Sequence, residues 1–180
     1  MIKIRSNTFE TNSSSSHSIV LTTQDNGYYT PEEAQAELYW MTRDGYWRPY
    51  THDLYFGRSP FKVLTTFRDK LLYAYANAPV KRRMNKQGRV YYYHNYTKIT
   101  NTVKKLLPEF NGVRWEGNSR PDCDDHPLFG WLKMWNMSLE EYLMNKNVIV
   151  ICDGDEYCIW ESLKERGITN GCIAKELPVS

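Results

Sequence analysis

The least polar stretch of the chain is Val148-Ile149-Val150-Ile151-Cys152, five apolar residues in a row. A run of that length without polar alternation predicts a strand buried on both faces of a sheet. Asp153-Gly154-Asp155 turns the chain after it, Glu156 to Arg166 reads as a helix, and Gly167 stands where a C-terminal cap belongs. Ile168 to Ala174 then returns as a strand, giving a β-α-β-like unit. At the other end, Ile2-Lys3-Ile4-Arg5 alternates as a half-buried strand does. Ser18 to Thr23 forms a second strand, with Thr11 to His17 as the connection.

Helices are marked by caps and by apolar spacings of three and four. Thr30, Pro31 and Glu33 make a capping-box start and predict a helix to about Arg43, where Asp44-Gly45 breaks it. Ser59-Pro60 opens a long helix through Phe61, Leu64, Phe67, Leu71 and Leu72, ended by Asn77-Ala78-Pro79. Residues 96–107 place Ile99, Val103 and Leu106 on one face, and Pro108 follows. Leu128 to Trp135 is a short helix, and Ser138 with Glu141 starts another through a second capping box. Between these, residues 44–58 read as an aromatic-rich ordered loop or short strands. Val90-Tyr91-Tyr92-Tyr93-His94 has strong strand propensity, and residues 111–127 are loop with a short strand at Val113-Arg114-Trp115. With no repeat and no linker, the 180 residues predict one α+β domain over 1–180, a mixed sheet with packed helices.

Composition changes this picture in two respects. The 14 Tyr, 6 Trp and 6 Phe supply more ring surface than a core of this size requires, for burial or for a partner, a second copy of the chain included. The net charge of +2 conceals a segregation: residues 61–120 hold 13 Lys/Arg against 3 Asp/Glu, and residues 121–180 hold 5 against 11. A uniformly basic nucleic-acid protein is excluded, whereas a chain with oppositely charged faces is not. No apolar run approaches the ~18 residues that would cross a bilayer, and Met1 to Asn7 has no secretory h-region. Cys123, Cys152, Cys158 and Cys172 lack paired metal-site or redox spacing, so reduced thiols in a cytoplasm are expected.

Four segments carry candidate chemistry. Lys81, Arg82, Arg83, Lys86 and Arg89 put five cations into nine residues beside Tyr91-Tyr92-Tyr93, with Lys98, Lys104 and Lys105 close behind. Phosphate-seeking charge beside stacking rings is a footprint for RNA or DNA, and it suits an acidic protein surface equally well. A solvated loop is the plain alternative. Asp122, Asp124 and Asp125, with Cys123 and His126, crowd one loop, but metal sites draw ligands from separate segments. An acidic, solvated loop is therefore favoured, and no metal or cofactor is expected. Asp153, Asp155 and Glu156 follow the apolar strand where α/β sheets commonly bind ligands. There Asp155 is better explained as a cap for the next helix. The run Asn12, Ser13, Ser14, Ser15, Ser16 and His17 offers nucleophiles and a base. Neighbours on an extended chain point to opposite sides, so a turn bonded to its own backbone explains it more simply.

The opening Arg5-Ser6-Asn7-Thr8-Phe9-Glu10-Thr11-Asn12-Ser13-Ser14-Ser15-Ser16-His17-Ser18 resembles the start of a broad set of phage and mobile-element proteins. Asp153-Gly154-Asp155-Glu156 also looks like a feature of that set. In length and general character the chain is similar to a type II-A anti-CRISPR, a class that binds the RNA-guided nuclease and stops it from engaging or cutting DNA. The resemblance implies a non-enzymatic inhibitor acting by occupancy in the host cytoplasm. An acidic face of Asp122, Asp124, Asp125, Asp153, Asp155 and Glu156 would enter the nuclease's positive channel. The basic segment would then grip guide RNA, DNA or an acidic patch. Two other classes stand beside it: a nucleic-acid-binding phage accessory protein, and a hydrolase using Asp153, Asp155 and His126 or His17.

Overall fold

A computed structural model describes residues 16–22, 25–49, 55–56, 62–116, 121–123, 128–153 and 172–174. At its centre is a four-stranded sheet, β10-β1-β9-β4, formed by Cys172–Ala174 (β10), Ser16–Thr22 (β1), Val148–Asp153 (β9) and Lys62–Leu64 (β4). Strand β9 is interior, antiparallel to β1 on one side and β4 on the other. Its Val148, Val150 and Cys152 are at most 1% exposed, and Ile149 and Ile151 are buried as well, so both faces are covered as the apolar run predicts.

Every neighbour pair in this sheet is antiparallel. Among the described residues parallel pairing is confined to two separate ribbons, Tyr46–Trp47 (β2) with Gly112–Val113 (β7) and Tyr55–Phe56 (β3) with Asp122–Cys123 (β8). The α+β class is as expected, but the sheet is mixed only when these ribbons are counted. In the expected β-α-β unit, β9 and β10 do run parallel, yet β1 lies between them. The helix expected at Glu156 to Arg166 and the strand expected at Ile2 to Arg5 lie outside the described residues.

Helix Pro31–Glu37 (α1) begins as its capping box predicts: Thr30 Oγ1 accepts from Glu33 N at 3.2 Å, and Thr30 N donates to Glu33 Oε2 at 2.9 Å. It ends well before Arg43. Leu38 is buried at its C-cap, Trp40 takes a φ of 68°, and Met41 bridges to Trp47, so the chain turns back at once. The long helix expected from Ser59 is two elements. Lys62–Leu64 pairs with β9, and helix Phe67–Ala76 (α2) starts only after Thr66, whose hydroxyl accepts from Asp69 N at 3.1 Å. Two successive β-branched threonines interrupt the helical pattern, and the open edge of β9 recruits the residues before them.

Helix α2 is buried at eight of its ten positions and forms the spine of the core. Helices α1 and Leu139–Met144 (α5) pack on it, and Thr97–Leu106 (α3) packs on α5. Helix Leu128–Met134 (α4) is joined to its C-terminus by Asn77, which donates to Tyr73 O at 2.9 Å and accepts from Leu128 N at 3.0 Å. Helix α5 begins at Ser138, whose Oγ accepts from Glu141 N at 3.0 Å. Much of the ring surplus is spent here: Tyr73 meets Phe56 edge-on at 5.2 Å and stacks with Trp131 at 6.4 Å. Tyr75 meets Tyr96 at 5.2 Å and Trp115 at 5.6 Å. Helices and strands alike feed one cluster of buried residues.

Candidate nucleic-acid interface

The basic segment is not a loop. Val80–Met84 (β5) and Val90–His94 (β6) pair antiparallel as a two-stranded sheet of their own. The turn between them is built by Asn85, whose Oδ1 accepts from Gln87 N at 3.0 Å and Arg89 N at 2.8 Å. Gly88, at φ 78°, supplies the left-handed position that such a turn requires. Asn95 N donates to Pro79 O at 2.8 Å, and His94 Nδ1 lies 3.2 Å from Ala78 O, fastening the base to the end of α2. Lysine and arginine have weak strand propensity, so the sequence pattern marks only the tyrosine half of the hairpin.

Lys81, Arg82, Arg83, Lys86 and Arg89 are all exposed, and Val80 to His94 contains no Asp or Glu. The register sets Lys81 opposite Tyr93, Arg82 opposite Tyr92 and Arg83 opposite Tyr91. Cross-strand partners share a face. One face therefore carries Arg82 and Tyr92 between Val80, Met84 and Val90, and Met84 and Tyr92 are 66% and 69% exposed. An isolated two-stranded ribbon is of marginal stability in water, and this one offers both faces to a partner.

The remaining predicted cations divide. Lys104 and Lys105 are exposed on the last turn of α3. Lys105 lines a shallow cavity of about 720 Å³ with Lys98 and Lys133, where the Lys98 ammonium lies 5.4 Å from the centre of the Phe129 ring. Of the six acidic candidates, Asp122 and Asp153 fall among the described residues. Asp122 belongs to β8 in a parallel ribbon, and Asp153 ends β9 in the main sheet. Asp124, Asp125, His126, Asp155 and Glu156 lie outside the described residues, as do Asn12, Ser13, Ser14 and Ser15. Ser16 and His17 correct the sequence reading: they are strand, not connection. Their backbones pair with Asp153 and Cys152, because β9 runs on past its apolar run and gives them partners. Among the described residues no three His, Cys, Asp or Glu gather as metal ligands do. No described helix is long and apolar enough to cross a membrane.

Sequence reasoning passed over a second recess. Trp40, Arg48, Pro49, Arg114, Trp115 and Glu116 surround an open cavity of about 450 Å³. Arg114 donates to Asp44 Oδ2 at 2.6 Å and lies 4.1 Å from the centre of the Tyr46 ring. The Thr42 hydroxyl and then Arg114 hold the Asp44 carboxyl below the usual carboxylate range. These residues come from the segments that follow α1, β2 and β7, so no local motif announces them. Their shared signal in the sequence is tryptophan beside arginine, at Trp47-Arg48 and Arg114-Trp115. Compared with known protein families, curated proteins and solved structures, the chain matches none.

Proposed function

We propose that the chain is a phage anti-defence protein, an anti-CRISPR that binds a type II RNA-guided effector nuclease in the host cytoplasm and blocks DNA binding or cleavage by occupancy. One observation carries the reading: among the described strands β5 and β6 pair only with each other, and their ribbon has five exposed cations and no carboxylate. Such a ribbon suits the phosphates of a guide RNA or of target DNA. A two-stranded ribbon also has the width of a nucleic-acid groove. The N-terminal resemblance points to phage proteins, and the likeness in length and general character to a type II-A anti-CRISPR supplies the choice of nuclease as partner. The test is a DNA-cleavage assay with a purified type II ribonucleoprotein. The wild-type chain should inhibit near stoichiometry. A variant with Lys81, Arg82, Arg83, Lys86 and Arg89 replaced by alanine should keep its melting temperature and lose most inhibition. A wild-type chain without effect on binding or cleavage by type II effectors would refute the proposal.

A second reading, a nucleic-acid-binding accessory protein, is favoured by the alternation of cations with Tyr92 and Tyr93 on the same ribbon. It requires binding to naked DNA or RNA. If all five cations meet phosphates of a DNA duplex, the log–log salt slope should become shallower by about 4 to 5 in the alanine variant. Binding that ignores salt would remove it.

A further inference from the structure

Trp40 is held in a conformation that tryptophan rarely adopts. Its φ of 68° lies in the left-handed region, which glycine enters without strain and a bulky residue does not. The side chain gains little burial in return, being 64% exposed. It stands instead at the mouth of the 450 Å³ cavity, with Trp115 among the other walls. Strain of this kind clusters at functional sites, and here it falls on a residue that walls a cavity.

The walls are unequal in freedom. Trp115 is anchored from behind by Tyr75 at 5.6 Å and by Tyr96 at 5.8 Å. Arg114 is committed to Asp44 and to the Tyr46 ring. Arg48 and Glu116 are exposed, and among the described residues neither has an ion-pair partner. The cavity thus offers two aromatic surfaces, one available guanidinium and one carboxylate, in a volume typical of small-ligand sites.

We propose that this cavity takes an unpaired nucleobase together with its phosphate. The base stacks on the tryptophans, Arg48 binds the phosphate, and the Glu116 carboxylate accepts from N–H donors on the edge of the ring. Guanine presents an imino and an amino donor side by side and adenine a single amino group, so guanine is preferred. Two ring contacts link the recess to the base of the basic ribbon. Trp115 touches Tyr96, and Tyr96 stacks at 6.0 Å on His94, the last residue of β6. On this proposal a strand whose phosphates are held by the ribbon places a base in the recess. This extension rests on the nucleic-acid reading above for the source of the nucleotide, though not for the pocket's chemistry.

The experiment is a titration of the full chain with GMP, AMP, guanosine, inorganic phosphate and a guanine-ended single-stranded oligonucleotide, followed by tryptophan fluorescence. GMP should quench saturably and more tightly than AMP or guanosine. Trp40→Ala should weaken GMP by about tenfold or more, the loss of one base–ring stack. Arg48→Gln should erase the difference between GMP and guanosine, and Glu116→Gln that between GMP and AMP. All three side chains are exposed, so unchanged melting temperatures accompany these results. Tighter binding of the oligonucleotide identifies nucleic acid as the source, and equal affinity identifies the free nucleotide. No saturable quenching, phosphate alone binding as well as GMP, or full affinity in Trp40→Ala would each overturn the proposal. The five-alanine ribbon variant separates the two readings: it should still bind GMP after losing inhibition of the nuclease.

Discussion

The burial of Lys70 should make the stability of this protein rise between pH 7 and pH 9. Its side chain is fully buried on α2, where the ammonium donates to Asn145 O at 2.8 Å and lies 5.5 Å and 6.0 Å from the Tyr29 and Tyr142 rings. Burial lowers its pKa from 10.5 to about 7, against a weaker upward pull from Glu37. The unfolded chain therefore takes up this proton first as the pH falls. The folded state loses stability from about pH 10.5 down to about pH 7, and below that both states are protonated and the loss is complete.

Each pH unit well inside the window is worth about 1.4 kcal/mol, and because the folded group is half protonated at pH 7 the span from 7 to 9 carries about 2 kcal/mol. At a urea dependence of about 2 kcal/mol per molar, that moves the unfolding midpoint by about 1 M. Above pH 9 the trend reverses in stages. Burial raises the Cys152 thiol above its ordinary 9.0, so the unfolded thiol ionises first. Burial likewise lifts Tyr29 to about 12 and raises Tyr73, Tyr75 and Tyr142, which adds losses above pH 10. Maximum stability is expected near pH 9 to 10. Lys70→Met keeps most of the apolar length, gives up one hydrogen bond of about 1 kcal/mol, and should abolish the slope between pH 7 and 9. A wild-type midpoint that is flat over that window, or a slope that survives in Lys70→Met, would show the reasoning wrong.

Two further predictions test the framework that holds the interface. Asn77→Ala strips Leu128 N–H of its acceptor at the junction of α2 and α4. Chemical denaturation should record a loss of about 1–3 kcal/mol, since a buried donor is left unmade. Gly45 and Gly88 share nearly the same backbone, φ 76° and 78°, yet a methyl group on Gly45 would strike the Glu109 carbonyl oxygen while one on Gly88 meets nothing. Gly45→Ala should therefore lower the melting temperature clearly more than Gly88→Ala, which carries only a left-handed penalty of about 1 kcal/mol. Equal effects would mean that the close approach of the chain at Glu109 yields easily.

Local signals were the legible part of the fold. Thr30, Thr66 and Ser138 each accept from the backbone three residues on, and only Thr66 escaped notice because Leu64 and Phe67 suggest one continuous helix. The apolar run at Val148 announced the interior strand, since five residues with no polar alternation suit burial on both faces. The cationic half of the hairpin was legible as charge but not as strand. Its conformation is imposed by pairing with Val90 to His94, which no propensity of Lys81 to Arg83 foretells.

From residue types and spacing alone come the class of the fold, most helix starts, the buried strand and the concentration of positive charge between residues 61 and 120. Each depends on contacts within a few positions along the chain. Tertiary structure decided the rest: Lys62–Leu64 becomes an edge strand because β9 needs a partner, and β1 separates β9 from β10. It also decided that Trp40, Arg48 and Trp115, up to 75 positions apart in sequence, share one recess. Such pairings are fixed by which surfaces meet when the core closes, and the chain's local periodicity carries no record of that choice.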